Sequence, residues 1–199
     1  MSARIEFYRT KSNKSIEKTL TENYPNFRSW FLINKIKNLE IDEFKENFDL
    51  INFIKSHKKI DFNKTDKKTL NFILVEFIIE YPKSNQYFIN FGSTMNKKNY
   101  FICDKIVNKT NDKKLKKHWN SITKGRLLEN NSAEINIGYL FKNEQTELKL
   151  FIKKYFSQNH KTYFRLKKIE MCIGIELLLD AINEIENLNS EIITLIENY

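Results

Sequence analysis

Glycine and proline are scarce, at four and two residues in a chain of 199. So few turn formers argue against collagen-like repeats, low complexity and turn-dense all-β folds. Cysteine is equally sparse. Cys103 and Cys172 lie far apart and form no CxxC pair, which excludes a disulfide framework and fits a reduced compartment. Long apolar runs are missing as well. The longest, over residues 70–79, is interrupted by Asn71 and Glu76, whereas crossing a bilayer takes about 20 residues. The N-terminus is charged from Arg4 onward and lacks the apolar stretch of a signal peptide. A cytoplasmic protein with no membrane contact is expected.

Arginine is the scarce cation. Among 34 basic residues only Arg4, Arg9, Arg28, Arg126 and Arg165 are arginine; the rest are lysine, beside 25 asparagines and three alanines. Lys, Asn, Ile, Phe and Tyr share AT-rich codons, so part of the formal charge of +9 reflects coding composition rather than a binding signal. Bidentate phosphate contacts and base readout favour arginine, which is short here.

Catalytic signatures are missing too. The isolated Gly92, Gly125, Gly138 and Gly174 draw neither a P-loop nor a dinucleotide fingerprint, and no GxSxG elbow occurs. His57, His118 and His160 stand alone, with no HExxH and no zinc-type Cys/His spacing. The Arg-to-His spacing of many small helical ribonucleases is also lacking. Two E-x-K patterns, Glu43-Phe44-Lys45 and Glu147-Leu148-Lys149, resemble part of a metal-nuclease signature. Both fall in predicted helices, where positions i and i+2 diverge. Cys103 sits next to Asp104 and Lys105 without a placed base. No catalytic residue, metal ligand or cofactor is assigned, and the chain reads as a non-enzyme.

Apolar residues make up 41% of the chain and charged residues 30%, enough for a folded core. Ile5 and Phe7 alternate with polar neighbours, predicting a short edge strand over 3–9. Helices are expected over 13–23, ended by Pro25, over 26–39, and over 41–56 with Ile41, Phe44, Phe48 and Ile51 on one stripe. The clearest periodicity runs over 65–81, where Leu70, Ile73, Leu74, Phe77, Ile78 and Tyr81 share a face, Thr65 or Asp66 caps the start and Pro82 follows. Short strands fit Tyr87-Ile89-Phe91 and 100–102, with Gly92 and Ser93 as turn residues. A helix over 111–128, capped by Asn111 or Thr110, aligns Leu115, Trp119, Ile122 and Arg126. A polar link covers 130–137. Asn143 then caps a helix striped by Leu148, Phe151, Ile152 and Tyr155. Ile175, Leu178, Ile182, Ile185, Leu188, Ile192 and Leu195 follow near-heptad steps, extending a last helix or helix pair to 196. The expected class is mainly α, an α+β chain with a minor short-strand component. It should form a single-domain bundle of about six to eight helices over 1–199.

Charge is unevenly placed. Residues 1–60, 61–130 and 131–168 carry net +4, +7 and +5, while 169–199 have seven carboxylates and no Lys or Arg, net −7. An acidic helical segment over 169–199 therefore follows a basic body. It can pack on that body, zip with a partner helix, or steer a basic partner protein. Its candidate partner-binding residues are Glu176, Asp180, Glu184 and Glu186. The densest basic cluster comprises Lys113, Lys114, Lys116, Lys117, Trp119, Lys124 and Arg126. Lysines beside an aromatic suit a nucleic-acid groove, and equally suit a solvated face with Trp119 turned inward.

Trp119, then Gly125-Arg126-Leu127-Leu128, then Ile137-Gly138-Tyr139-Leu140 followed by Glu144 or Glu147, resembles a segment of an uncharacterised family of small bacterial proteins. In that family a Trp-containing helix leads through an extended link to an Ile-Gly-Tyr-Leu element that opens a helix. The helix at 70–81 and the N-terminal strand fit the same pattern, which covers about half the chain. Members resemble, in size and patterning, the immunity and accessory proteins found beside bacterial toxins, a likeness of class that transfers no catalytic residue. The expected function is an immunity- or antitoxin-like protein that occludes a protein partner of the toxin class. The alternative is a nucleic-acid-associated protein using the Lys-rich helix.

Overall fold

Alternation starts the chain. Ile5 and Phe7 are buried in strand β1 (Ala3–Thr10), with Glu6 and Tyr8 half-buried between them. This computed structural model describes residues 3–11, 14–38, 40, 45–93, 104–105, 107–127, 135–156, 182–183 and 190–198.

Helix α1 (Ile16–Trp30) opens on Ser15, whose side chain accepts from the Lys18 N–H. Pro25 lies inside this helix rather than after it, so the two predicted helices flanking it are one element. A mid-helix proline removes one backbone bond. The face formed by Leu20, Tyr24, Phe27 and Phe31 is wholly buried, and its burial carries the helix through. The chain then loosens into a π-turn, Phe31–Lys35, and a 3-10 turn, Ile36–Asn38. Helix α2 (Phe48–Ser56) forms the second part of the expected 41–56 helix, residues 45–46 are helical ahead of a turn at Asn47, and 41–44 lie outside the described residues. Helix α3 (Lys67–Ile79) matches the sequence closely: Asp66 caps it by accepting from the Thr69 N–H at 2.9 Å.

Strand β2 (Phe88–Ser93) takes in Ile89 and Phe91 of the expected alternation, while Tyr87 closes the preceding 3-10 turn; Gly92 and Ser93 belong to the strand rather than to a turn. Helix α4 (Lys113–Thr123) is capped by Asp112, not by Thr110 or Asn111, and stops before Arg126. Strand β3 (Ile135–Leu140) replaces the end of the expected polar link. Helix α5 (Lys142–Phe156) has Asn143 inside its first turn. Its start is closed instead by Glu144, whose carboxylate accepts from the Phe141 N–H, the reciprocal half of a capping box. Strand β4 (Ile192–Asn198) ends the described chain.

These strands form one antiparallel sheet in the order β2-β1-β4-β3. Three expectations change. The chain is mainly helical but α+β, not a helical bundle. β1 is an inner strand, not an edge. The near-heptad run does not stay helical: Ile192 and Leu195 lie on the inner strand β4, though Ile182 is in a helical turn. The reason is burial on both sides. Residues 191–196 are all buried, and a β-branched run covered on two faces is a strand in a two-sided layer. Residues 100–102, Cys103, His160 and Cys172 lie outside the described residues, as do Glu176, Asp180, Glu184 and Glu186.

Helices cover both faces of the sheet. Ile193 and Leu195 of β4 pair with Tyr139 and Ile137 of β3, and all four join the core built by α1, α2 and α3. That core is aromatic. Phe27 touches Tyr24, Trp30, Phe31, Phe77 and Tyr81 with ring centroids 5.3–6.2 Å apart. The alternate residues of the strands face the other way, where α4 and α5 pack against β3. Gly138 is required there. A Cβ at that position would overlap the Ser121 carbonyl oxygen and Thr194 Oγ1, which itself donates to the Ile122 carbonyl at 2.8 Å.

The exposed side of edge strand β3 is closed by one side chain and by the backbone of residue 126. The buried Asn71 amide acts like a neighbouring strand, donating to Ile135 O at 3.0 Å and accepting from the Ile137 N–H at 2.7 Å. Arg126 continues the row: its N–H donates to Ile137 O at 2.9 Å. An edge so covered does not offer itself to another chain.

Candidate functional site

Gly125 places the central residue of the site. Its φ of +94° lies in the left-handed region, which lets the chain reverse at the end of α4 and return Arg126 to β3. The guanidinium is then fixed from several sides. Nη1 donates to Glu144 Oε2 and, at 3.4 Å, to Tyr139 O. The group stacks 4.7 Å from the Tyr139 ring centroid and 4.4 Å from that of Phe141. Only one nitrogen of the fork is used in these bonds. Burial opposes ionisation of Glu144, but the Arg126 bond, the Phe141 N–H and the charges of Arg126 and His118 outweigh it and hold its pKa below the usual carboxylate range.

His118 adds a second carboxylate contact. It is buried on α4, and its Nε2 donates to Glu147 Oε2 at 2.7 Å across to α5. Its Nδ1 lies 3.8 Å from Glu144 Oε1, too far for a hydrogen bond. Lys114 Nζ stands 3.8 Å from Glu147 Oε1. The His118 bond is the leading cause that lowers the Glu147 pKa. Read alone in the sequence, His118 has no partner; α5 supplies one 29 residues away. Glu147-Leu148-Lys149 lies on a helix, as expected, with Glu147 on the His118 side and Leu148 in the core. No group of three His, Cys, Asp or Glu able to hold a metal occurs among the described residues.

A cleft of about 530 Å³ opens beside Arg126. Lys67 at the start of α3, Lys117 on α4 and Arg126 supply its charge. Asn63, Asn120 and Ser121 supply polar groups, while Phe62, Tyr139 and Phe141 form apolar wall. No Asp or Glu lines it among the described residues. Lys117 and Asn120 fall on one side of α4, at i and i+3. Asn120 Oδ1 is buried there and accepts no hydrogen bond. A smaller hollow of about 320 Å³, lined by Lys114, His118, Glu147 and Lys154 among others, adjoins the histidine.

The Lys-rich cluster is thus split. Lys113, Lys114 and Lys117 are exposed and Lys116 is half-buried. Lys124 pairs with Asp104 at 3.1 Å. Trp119 is 0% exposed and belongs to the core, as the inward alternative has it. Sequence reasoning missed Lys67, Phe62, Asn120, Tyr139, Phe141 and Glu144 as neighbours of Arg126. They come from three separate stretches, 62–67, 120 and 139–144, and only the fold joins them. No family model, no curated protein and no solved structure matches the chain. No helix among the described residues is long and apolar enough to cross a membrane.

Proposed function

We propose that the chain is a non-enzymatic protein-binding protein of the immunity or antitoxin type, which acts by occluding a partner protein of the toxin class. The observation that supports this reading is the cation-lined cleft, with its arginine already held in place by Glu144 and two rings. Recognition surfaces gain from arginine and aromatic anchors whose conformations are fixed before contact. The likeness of the segment from Trp119 to Glu147 to small accessory proteins adds to it. Glu176, Asp180, Glu184 and Glu186 give the sequence an acidic segment beside its basic body, and charge of both signs suits a charged protein partner.

Affinity capture from native lysate, with and without nuclease, tests the reading. A stoichiometric protein that survives nuclease and rebinds the purified chain is the expected result. Capture of nucleic acid alone would overturn it. Charge reversal at Glu176, Asp180, Glu184 and Glu186 should slow association with that partner, and more so at low salt.

A second reading rests on the exposed Lys113, Lys114 and Lys117. With Trp119 in the core, nucleic acid would be held through phosphates rather than by stacking on that ring. Affinity would then fall steeply with salt through counterion release.

A further inference from the structure

We propose that His118 is a proton-operated clasp between helices α4 and α5: a second proton, placed on Nδ1, bonds the ring to Glu144 while Nε2 keeps its bond to Glu147. The clasp closes in weak acid and loosens to one bond as the pH rises.

The arrangement of three side chains carries it. His118 is buried on α4 and has a carboxylate of α5 at each of its ring nitrogens. Glu144 and Glu147 stand three positions apart on α5, so both reach the same neighbour. Nε2 donates to Glu147 Oε2 at 2.7 Å, which puts the one proton of the neutral ring on that nitrogen. Nδ1 is then a buried lone pair without a donor, 3.8 Å from Glu144 Oε1. Two acceptors face each other there, and a buried acceptor left unpaired is costly. A proton on Nδ1 turns that pair into a charge-assisted bond. Closing the gap to an ordinary hydrogen-bond length takes a shift of about 1 Å.

Glu144 is placed to receive it. Its Oε2 accepts from Arg126 and from the Phe141 N–H, which leaves Oε1 on the His118 side. The remaining charges around the ring have settled positions. Lys114 stands 3.8 Å from Glu147 Oε1, and Asp112 caps α4 by accepting from the Leu115 N–H. Lys154 of α5 lines the same hollow as His118. From the sheet, Tyr139 of β3 and Glu191, just before β4, act electrostatically on Glu144.

Both carboxylates stay ionised into acid. The His118 bond is the first cause that lowers Glu147, and Glu144 is held low against its burial by Arg126, the Phe141 N–H and the charge of His118. An imidazolium and two carboxylates therefore coexist between about pH 5 and 6.5. Within that window the folded chain has a bond that the unfolded chain lacks. The bond is lost upward when the ring gives up its second proton, and downward when the carboxylates take theirs.

The full chain with 15N-labelled histidine tests this directly. At about pH 8 the His118 ring should be the single Nε2–H tautomer, and at about pH 5.5 both nitrogens should carry protons. Hydrogen exchange, corrected for the intrinsic rate, should show α4 and α5 opening about tenfold less often at pH 6 than at pH 8. His118→Gln, which cannot take the proton, should lose that response. The double variant Arg126→Met with Glu144→Leu, which leaves no stranded charge, should lose it too. A ring that stays singly protonated at pH 5.5, an Nδ1–H tautomer at pH 8, or the same pH response in wild type and His118→Gln would overturn the proposal.

Discussion

The two faces of the sheet are built by different rules. On one side α1, α2 and α3 cover it with rings and aliphatic groups, and Phe27, Phe31, Phe77, Ile51 and Ile73 are entirely buried. On the other side α4 and α5 bring polar side chains into contact with the strands. Thr194 bonds to the α4 backbone, Gln145 Nε2 donates to Leu140 O at 3.0 Å, and Glu144 holds Arg126 at the margin. The first face depends on area and shape, which tolerate small shifts. The second depends on each polar group meeting its partner, since a buried group left unpaired costs more than the bond itself contributes. The candidate cleft opens at the junction of the two, where apolar wall from one side meets polar groups from the other.

The largest expected effect lies on the apolar face. Phe27→Ala removes a ring in contact with five others and should cost roughly 3–5 kcal/mol in urea unfolding, without moving the pH dependence. Next comes Gly138→Ala. The new methyl meets backbone, which cannot give way as a side-chain end can, so about 3 kcal/mol is expected at this single-carbon change. A loss under about 0.5 kcal/mol would show that α4 sits farther from β3 than described.

Arg126→Ala should cost about 2–3 kcal/mol, because it strands the Glu144 carboxylate; the guanidinium keeps some water, which holds the cost below that of a fully buried pair. Arg126→Met with Glu144→Leu should recover part of that loss. If the double variant is worse than the single, the pair contributes through attraction rather than by avoiding an unpaired charge.

The smallest effects separate two glutamates by pH. Glu191 stands just before β4, and its carboxylate accepts from the Ile16 N–H at 2.9 Å, so it caps α1 from 175 residues away. Burial is the main cause that raises its pKa, with Glu144 and Glu17 adding to it. A raised carboxyl pKa means that the folded state holds its proton more tightly than the unfolded one. Its stabilising share is complete below the unfolded value and is lost as pH rises through the folded one. Glu144 runs in the opposite sense: its lowered pKa gives stability that is present above the unfolded value and lost as pH falls. Glu191→Gln should therefore unfold at a higher urea concentration relative to wild type at pH 7 than at pH 4. Glu144→Gln should be most damaging at neutral pH and least in acid. Identical pH profiles for the two variants would mean that neither carboxylate senses its folded surroundings.

Some of this was readable in residues alone. Asp66 and the stripe from Leu70 to Tyr81 specify α3, because a cap and a 3.6-residue period act within one helix. Ile5 and Phe7 specify a strand, but not that it is an inner one, since an edge and a centre share the same alternation. Ile192 and Leu195 fit a heptad step as well as a strand. The β-branched run between them decides for the strand only once α4 and the aromatic core cover both sides. At Pro25 local chemistry argued for a break, and burial of Leu20, Tyr24, Phe27 and Phe31 overruled it.

The candidate site was less readable than the fold. Lys117 and Arg126 stood out as part of a basic cluster, whereas their partners carried no signal. His118 and Glu147 are 29 residues apart, Asn71 and Ile137 are 66 apart, and no spacing rule links either pair. Composition, periodicity and capping act between neighbours in the chain, so the sequence by itself determined which stretches are strongly helical, where α3 starts and how charge is distributed. The tertiary structure alone decided which strand lies inside the sheet, which face of α4 is dry, and that Arg126 meets Glu144, Tyr139 and Phe141. Those outcomes depend on burial and on pairing across long loops, and both exist only when distant segments have already met.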